Sequence, residues 1–182
     1  MKLSLIALAL AAVVPFTAHA ADLSYNYVEA DYLNQKHSTD GWGLRGAFDL
    51  GGTGWYGLAG YNRLNIDGFG GDDNVDSYEL GGGYHYGLSG KTDLIGELAY
   101  QHSDFGPFNV SGWRGSMGVR SALSDKLEGF IKANYYDGHD YDGDFTGTLG
   151  AQYKFTRTWG ATVEGEFGNG NRNYLLGARA SF

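Results

Sequence analysis

Trp159-Gly160-Ala161-Thr162-Val163-Glu164-Gly165-Glu166-Phe167 and Asn173-Tyr174-Leu175-Leu176-Gly177-Ala178-Arg179-Ala180-Ser181-Phe182 decide the fold. In the first run Trp159, Ala161, Val163, Gly165 and Phe167 share one face, and Gly160, Thr162, Glu164 and Glu166 share the other. In the second, Tyr174, Leu176, Ala178, Ala180 and Phe182 oppose Asn173, Leu175, Gly177, Arg179 and Ser181. A two-residue period is the signature of extended chain with one apolar face. Each run is about as long as a tilted strand that crosses a bilayer, about 9–11 residues, and longer than the usual 5–6 of a soluble sandwich. The Asn169-Gly170 between them is a type I′ hairpin signal.

The same pattern recurs toward the N-terminus. Trp113, Gly115, Met117 and Val119 oppose Arg114, Ser116, Gly118 and Arg120; Tyr78, Leu80, Gly82, Tyr84 and Tyr86 oppose Glu79, Gly81, Gly83 and His85; Trp42, Leu44, Gly46, Phe48 and Leu50 oppose Arg45 and Asp49. Ten such segments are expected, over 24–35, 41–50, 55–65, 77–87, 93–103, 112–122, 126–137, 145–155, 159–168 and 173–182. Linkers after the even segments are tight, such as Gly51-Gly52-Thr53-Gly54 and Ser124-Asp125, whereas 66–76, 104–111 and 138–144 are longer. Short turns on one side and longer loops on the other are the layout of outer-membrane barrels. The expected fold is therefore all-β: an antiparallel up-and-down transmembrane β-barrel of ten strands, with eight strands as the alternative.

A bilayer also dictates where aromatic rings go, because both interfaces favour Trp, Tyr and Phe on the lipid face. An outer belt is expected from Trp42, Tyr61, Tyr78, Tyr100, Trp113, Tyr135, Phe145, Phe167 and Tyr174, and a periplasmic belt from Phe48, Trp55, Tyr86, Phe155, Trp159 and Phe182. A soluble sandwich, the competing all-β reading, has no reason to band its rings at strand ends.

The chain divides into 1–20 and 21–182. Lys2, the apolar run Leu3–Phe16 and Ala18-His19-Ala20 make a secretory signal peptide with cleavage expected after Ala20; an uncleaved anchor is the alternative. Removing Lys2 moves the formal charge from −8 to −9, so a nucleic-acid partner is excluded for want of a basic stripe. The 14 Tyr and only 2 Pro exclude disorder, and the lack of Cys in an exported chain means something other than disulfides holds the fold.

The face opposite the lipid is charged: Glu29, Asp31, Asp49, Glu79, Glu97, Glu128, Glu164 and Glu166 against Arg45, Arg114, Arg120, Lys132, Lys154 and Arg179. In so narrow an interior these charges must pair or meet water, and with a first hairpin loop of 36–40 Asp31 falls opposite Arg45. Ionic packing of a closed lumen is the expectation, rather than an ion path.

Candidate chemistry lies in the loops. Asp137-Gly138-His139-Asp140-Tyr141-Asp142-Gly143-Asp144 superficially suggests a calcium loop but departs from the EF-hand order, so a solvated acidic loop is expected there and at 70–76. Asp137 with His139, and Asp140 with Asp142, mimic the pairs of ten-stranded outer-membrane proteases, yet both sit in one short loop. His102-Ser103 hints at an outer-membrane lipid A deacylase or phospholipase, but neighbours on a strand point to opposite faces and cannot form a Ser–His dyad. No catalytic residue, cofactor site or metal site is therefore assigned.

At Tyr25-Asn26-Tyr27-Val28-Glu29, Gly41-Trp42-Gly43, Thr92-Asp93-Leu94, Gly118-Val119-Arg120, Leu149-Gly150-Ala151-Gln152 and Trp159-Gly160 the chain resembles the small outer-membrane barrel family first described as a secreted activator of plant immunity, sometimes labelled a diffusible signal factor. The resemblance spans nearly all of 21–182 and rests on the order of short motifs. It implies a cell-outer-membrane barrel with proposed links to biofilm, motility and virulence, and it brings no catalytic residues. The expected function is non-enzymatic, structural or adhesive; the alternatives are a surface enzyme hydrolysing lipid or peptide, and a narrow pore. Expected partners are outer-membrane lipid and lipopolysaccharide, with the barrel-assembly machinery reading Phe182 during biogenesis; the chain is expected to be a monomer.

Overall fold

The computed structural model describes residues 23–35, 39–66, 73–106, 108–138, 143–168 and 171–182. Ten antiparallel strands form one closed barrel, each paired with its chain neighbour and the last with the first. They are β1 (Tyr27–Gln35), β2 (Thr39–Asp49), β3 (Trp55–Ile66), β4 (Asp73–Ser89), β5 (Thr92–Phe105), β6 (Phe108–Ala122), β7 (Leu127–Gly138), β8 (Asp144–Lys154), β9 (Trp159–Gly168) and β10 (Asn171–Ser181). The ten-strand reading holds and the eight-strand alternative does not. Closure removes the edges that would otherwise leave backbone donors and acceptors unpaired in lipid.

The two-residue alternation does what the sequence implies. Apolar side chains of the outward set remain uncovered, including Leu80, Met117, Leu149, Val163 and Leu176, while Glu29, Arg114, Arg120, Glu128, Glu164 and Arg179 are buried inside. This inversion of a soluble protein's arrangement is the surface a bilayer requires. The outer aromatic belt is continuous over much of the wall, with ring contacts Trp42–Tyr61, Tyr61–Tyr78, Tyr100–Trp113, Tyr135–Phe145 and Phe167–Tyr174. Phe48, Trp55, Tyr86, Phe155, Trp159 and Phe182 are exposed at the other end.

Three expectations are corrected. The segment 104–111 is not a long loop, because β5 and β6 stay paired up to Phe105 and Phe108 and reverse through Gly106 at a φ of 63°. The left-handed conformation that Gly adopts freely lets the ladder continue above the aromatic belt. Next, β2 begins at Thr39, so Arg45 lies opposite Glu29 and Asp31 lies opposite Gly43. A shorter hairpin connection shifts register by two residues and so keeps every side chain on its expected face. Finally, the first strand starts at Tyr27 rather than 24, and 23–26 form non-strand backbone at the periplasmic end. The segment 1–20, expected to be a signal peptide, and His139, Asp140 and Asp142 lie outside the described residues.

Candidate functional site: the lumen and the outer rim

The lumen is filled by two ionic layers on facing walls. On one wall Arg45 reaches Glu29 at 2.7 Å, Asp31 at 3.0 Å and Glu164 at 2.9 Å. Glu29 also accepts hydrogen bonds from Arg179 and from Thr162 Oγ1, the latter at 2.8 Å. On the other wall Arg114 grips Glu79 at 2.6 Å and Glu97 at 3.0 Å, and Lys132 joins Glu97 at 3.3 Å. Gln101 donates to Glu79 at 2.6 Å and the Tyr56 hydroxyl donates to Glu97 at 3.1 Å. Nearer the periplasm Glu128 is held by Arg120 at 2.5 Å and by Lys154. Toward the outside, Glu166 accepts from the Tyr136 hydroxyl at 3.1 Å. Each of the six lumen cations expected from the sequence therefore holds a carboxylate, which is what makes burial of so many charges tolerable.

Aromatic residues complete the filling, and the sequence pattern did not single them out. The Tyr56 ring leans over Gly83 and the Phe130 ring over Gly150, so two inward glycines give room to rings rather than to water. Tyr25 is the central member. Its chain segment crosses the periplasmic mouth, and its hydroxyl donates to Asp93 Oδ2 at 2.9 Å. Its ring stacks on His85 at 4.0 Å, meets Tyr56 at 4.9 Å and lies 4.9 Å from the Arg120 guanidinium. Arg120 also donates to the Ser24 carbonyl at 2.8 Å. Tyr25, Ala47, Tyr56, Leu58, Ile95 and Ala99 form an apolar cluster beneath the ionic layers. A cavity of about 50 Å³ in the lumen is lined by residues such as Tyr27, Arg45, Glu97, Lys132 and Arg179. The signal that could have found Tyr25 is parity: it is two residues before Tyr27 and four before Glu29, on the inward face.

Above the aromatic belt the strand ends form a polar rim. Arg63 binds Asp76 through two hydrogen bonds of 2.7 Å, and the Tyr61 hydroxyl donates to Asp76 at 2.6 Å. Asp76 lies two residues beyond the belt ring Tyr78, outside the spanning segment, and these donors hold its carboxyl down at about 2. Ser103 points inward, to Ser77 Oγ at 2.8 Å, so the His102-Ser103 pair is split between the two faces as expected. His102 instead meets Ser111 and Asp104 on the outside wall. Asp137 sits opposite Trp113 on the lipid-facing side, where its carboxylate accepts from the Gly138 amide at 3.0 Å. Among the described residues there is no group of three His, Cys, Asp or Glu arranged to hold a metal.

A closed ten-strand antiparallel barrel with an apolar, aromatic-banded exterior and an ionic interior defines the class: a small β-barrel of the outer-membrane type. No family model matches the chain, and no curated protein matches it by sequence. Among solved structures it is similar to the NanC porin, with a TM-score of 0.57 and 13% identity over 85% of this chain and 100% of that one. It is also similar to the KdgM porin, with a TM-score of 0.55 and 12% identity over 86% of this chain and 99% of that one. The KdgM porin in complex with disordered oligogalacturonate gives a TM-score of 0.52 at 13% identity, over 86% of this chain and 99% of that one. At these identities the likeness is one of fold.

Proposed function

We propose that this chain is a non-conducting resident of the outer membrane that acts through its outer rim, as a structural or surface-interaction barrel. The carrying observation is the lumen. Each of its six cations is engaged by a carboxylate, Tyr25 and Tyr56 pack into the periplasmic half, and the cavity between the ionic groups, about 50 Å³, has room for a few waters. A corridor for an anionic oligosaccharide needs cations free to meet the substrate; here they are consumed by internal pairing. The membrane reading is supported by the exposed Met117, Leu149 and Val163 between two rows of aromatic rings. Its lipid neighbours would be phospholipid and lipopolysaccharide, its assembly would run through the barrel-assembly machinery, and it would act as a monomer.

The resemblance to the family first described as a secreted activator of plant immunity supports a surface role tied to biofilm or virulence. Planar-bilayer recording on the purified protein tests the closed lumen. The expected trace has no steady unit conductance. Reproducible steps that change in Arg114→Ala or Glu164→Ala would replace this reading with a narrow pore.

A further inference from the structure

We propose a serine hydrolase site on the outer wall of the barrel, where β5 and β6 rise above the aromatic belt, with long-chain carboxylic esters of the outer leaflet as its substrate class. This goes beyond the structural reading and departs from the expectation of a barrel without catalysis. His102 on β5 and Ser111 on β6 are direct cross-strand partners. The Ser111 hydroxyl lies 2.8 Å from His102 Nδ1, and Asp104 Oδ1 lies 3.1 Å from His102 Nε2. With the proton on Nε2, the imidazole donates to Asp104 and leaves Nδ1 to accept from Ser111. That is the nucleophile, base and orienting carboxylate of acyl transfer, joined in the required order. The sequence neighbours His102-Ser103 could not supply it; the partner serine comes from the adjacent strand.

Three features argue for a site rather than a polar clip. His102 and Asp104 are 34% and 49% exposed, so an ester can reach them. Ser111 opens onto a groove of about 360 Å³ lined also by Tyr100, Gly112, Trp113, Asp137 and Gly138, whose two aromatic rings offer an apolar wall to an acyl chain while Asp137 marks its polar side. The third is height. His102 and Ser111 stand two residues above the belt rings Tyr100 and Trp113, which is about 7 Å along a strand and about 5 Å along the membrane normal at a 45° tilt. Belt rings sit at the membrane–water interface, and the belt ring Tyr78 is the direct cross-strand partner of His102, so the triad stands in the interfacial layer that carries the lipid ester linkages.

The chemistry balances with water as the only co-reactant. Ser111 Oγ bonds to the ester carbonyl carbon as its proton passes to His102 Nδ1. The ester C–O bond then breaks, and that proton leaves with the alcohol. Water attacks the acyl-serine with His102 again as base, releasing the fatty acid and restoring Ser111. Ser111 and His102 are the catalytic residues; Asp104 is a positioning residue that holds the ring and its tautomer.

The test uses the purified, folded protein in mixed micelles, with phosphatidylethanolamine in one arm and lipopolysaccharide in the other, and quantifies free fatty acid by mass spectrometry. Release is expected in one arm, which identifies the glycerolipid or the acylated glucosamine as the source. Ser111→Ala and His102→Ala are expected to lower it by about 100-fold or more. Asp104→Asn is expected to lower kcat with little change in KM, and Ser103→Ala, on the inner face, to leave release unchanged. A fluorophosphonate probe should add one adduct to the native chain and none to Ser111→Ala, with heat-modifiable migration confirming that each variant is folded. Absence of release in both arms together with absence of the adduct, or full release by Ser111→Ala, would overturn the proposal.

Discussion

Glu29 on β1 and Arg179 on β10 lie opposite each other across the seam where the last strand closes onto the first, and the guanidinium donates to the carboxylate 150 residues away in the chain. Glu29 is fully buried and binds Arg45 on its other side, so a single carboxylate joins β10, β1 and β2. The ionic layer is thus also the latch of the barrel.

Replacing Glu29 by Ala should destabilise the barrel by about 3–5 kcal/mol, because the buried Arg179 and the half-buried Arg45 lose their shared counter-charge. Urea unfolding in micelles, followed by tryptophan fluorescence, measures it. Thr162→Ala removes one 2.8 Å hydrogen bond to the same carboxylate and should cost about 1–3 kcal/mol. Equal losses in the two variants would show that the latch is not ionic.

Tyr25 is the residue on which the periplasmic cluster turns. Tyr25→Ala should cost about 3–5 kcal/mol through lost packing against Tyr56 and His85. Tyr25→Phe keeps the ring and removes the donor to Asp93, so its loss should be smaller, about 1–3 kcal/mol. Chemical denaturation of both variants in the same micelle decides the order.

The lipid face can be mapped by charge. Met117, Leu149 and Val163 sit midway between the two aromatic rows and are strongly exposed. Arg at any of them should cost about 2–4 kcal/mol in a bilayer, from the transfer of charge to hydrocarbon. Arg at Phe108, on the rim above the belt, should cost about 0–1 kcal/mol. Folding titrations in phospholipid vesicles would refute a membrane exterior if the two sets cost the same.

Asp76 supplies a pH signature at the rim. Its carboxyl is lowered from the ordinary 3.8 to about 2 by Arg63 and Tyr61. A lowered folded-state value means the clip's contribution is complete above the ordinary value and fades as pH falls toward 2. In a carboxyl NMR titration of the micellar protein, Asp76 should titrate near 2, and in Arg63→Ala the midpoint should move up toward 3.8. An unchanged midpoint in Arg63→Ala would show that the guanidinium is not the cause.

Strand number and facing were legible in the sequence because a two-residue period is local: it is set by the geometry of extended backbone and needs no knowledge of partners. Trp159 to Phe167 and Tyr174 to Phe182 therefore announced their lipid faces, and Arg114, Glu164 and Arg179 their inward faces. Which residues meet was decided by the hairpin connections and by closure of the barrel. Moving a hairpin connection by a residue or two re-pairs a whole strand, which is how Arg45 came to face Glu29 instead of Asp31. The same cause turned an expected loop into the paired extension of β5 and β6 that brings Ser111 to His102. Across the lumen, contacts such as Tyr25 with Asp93 join segments 68 residues apart. They arise from the curvature of the closed sheet, which no local pattern encodes.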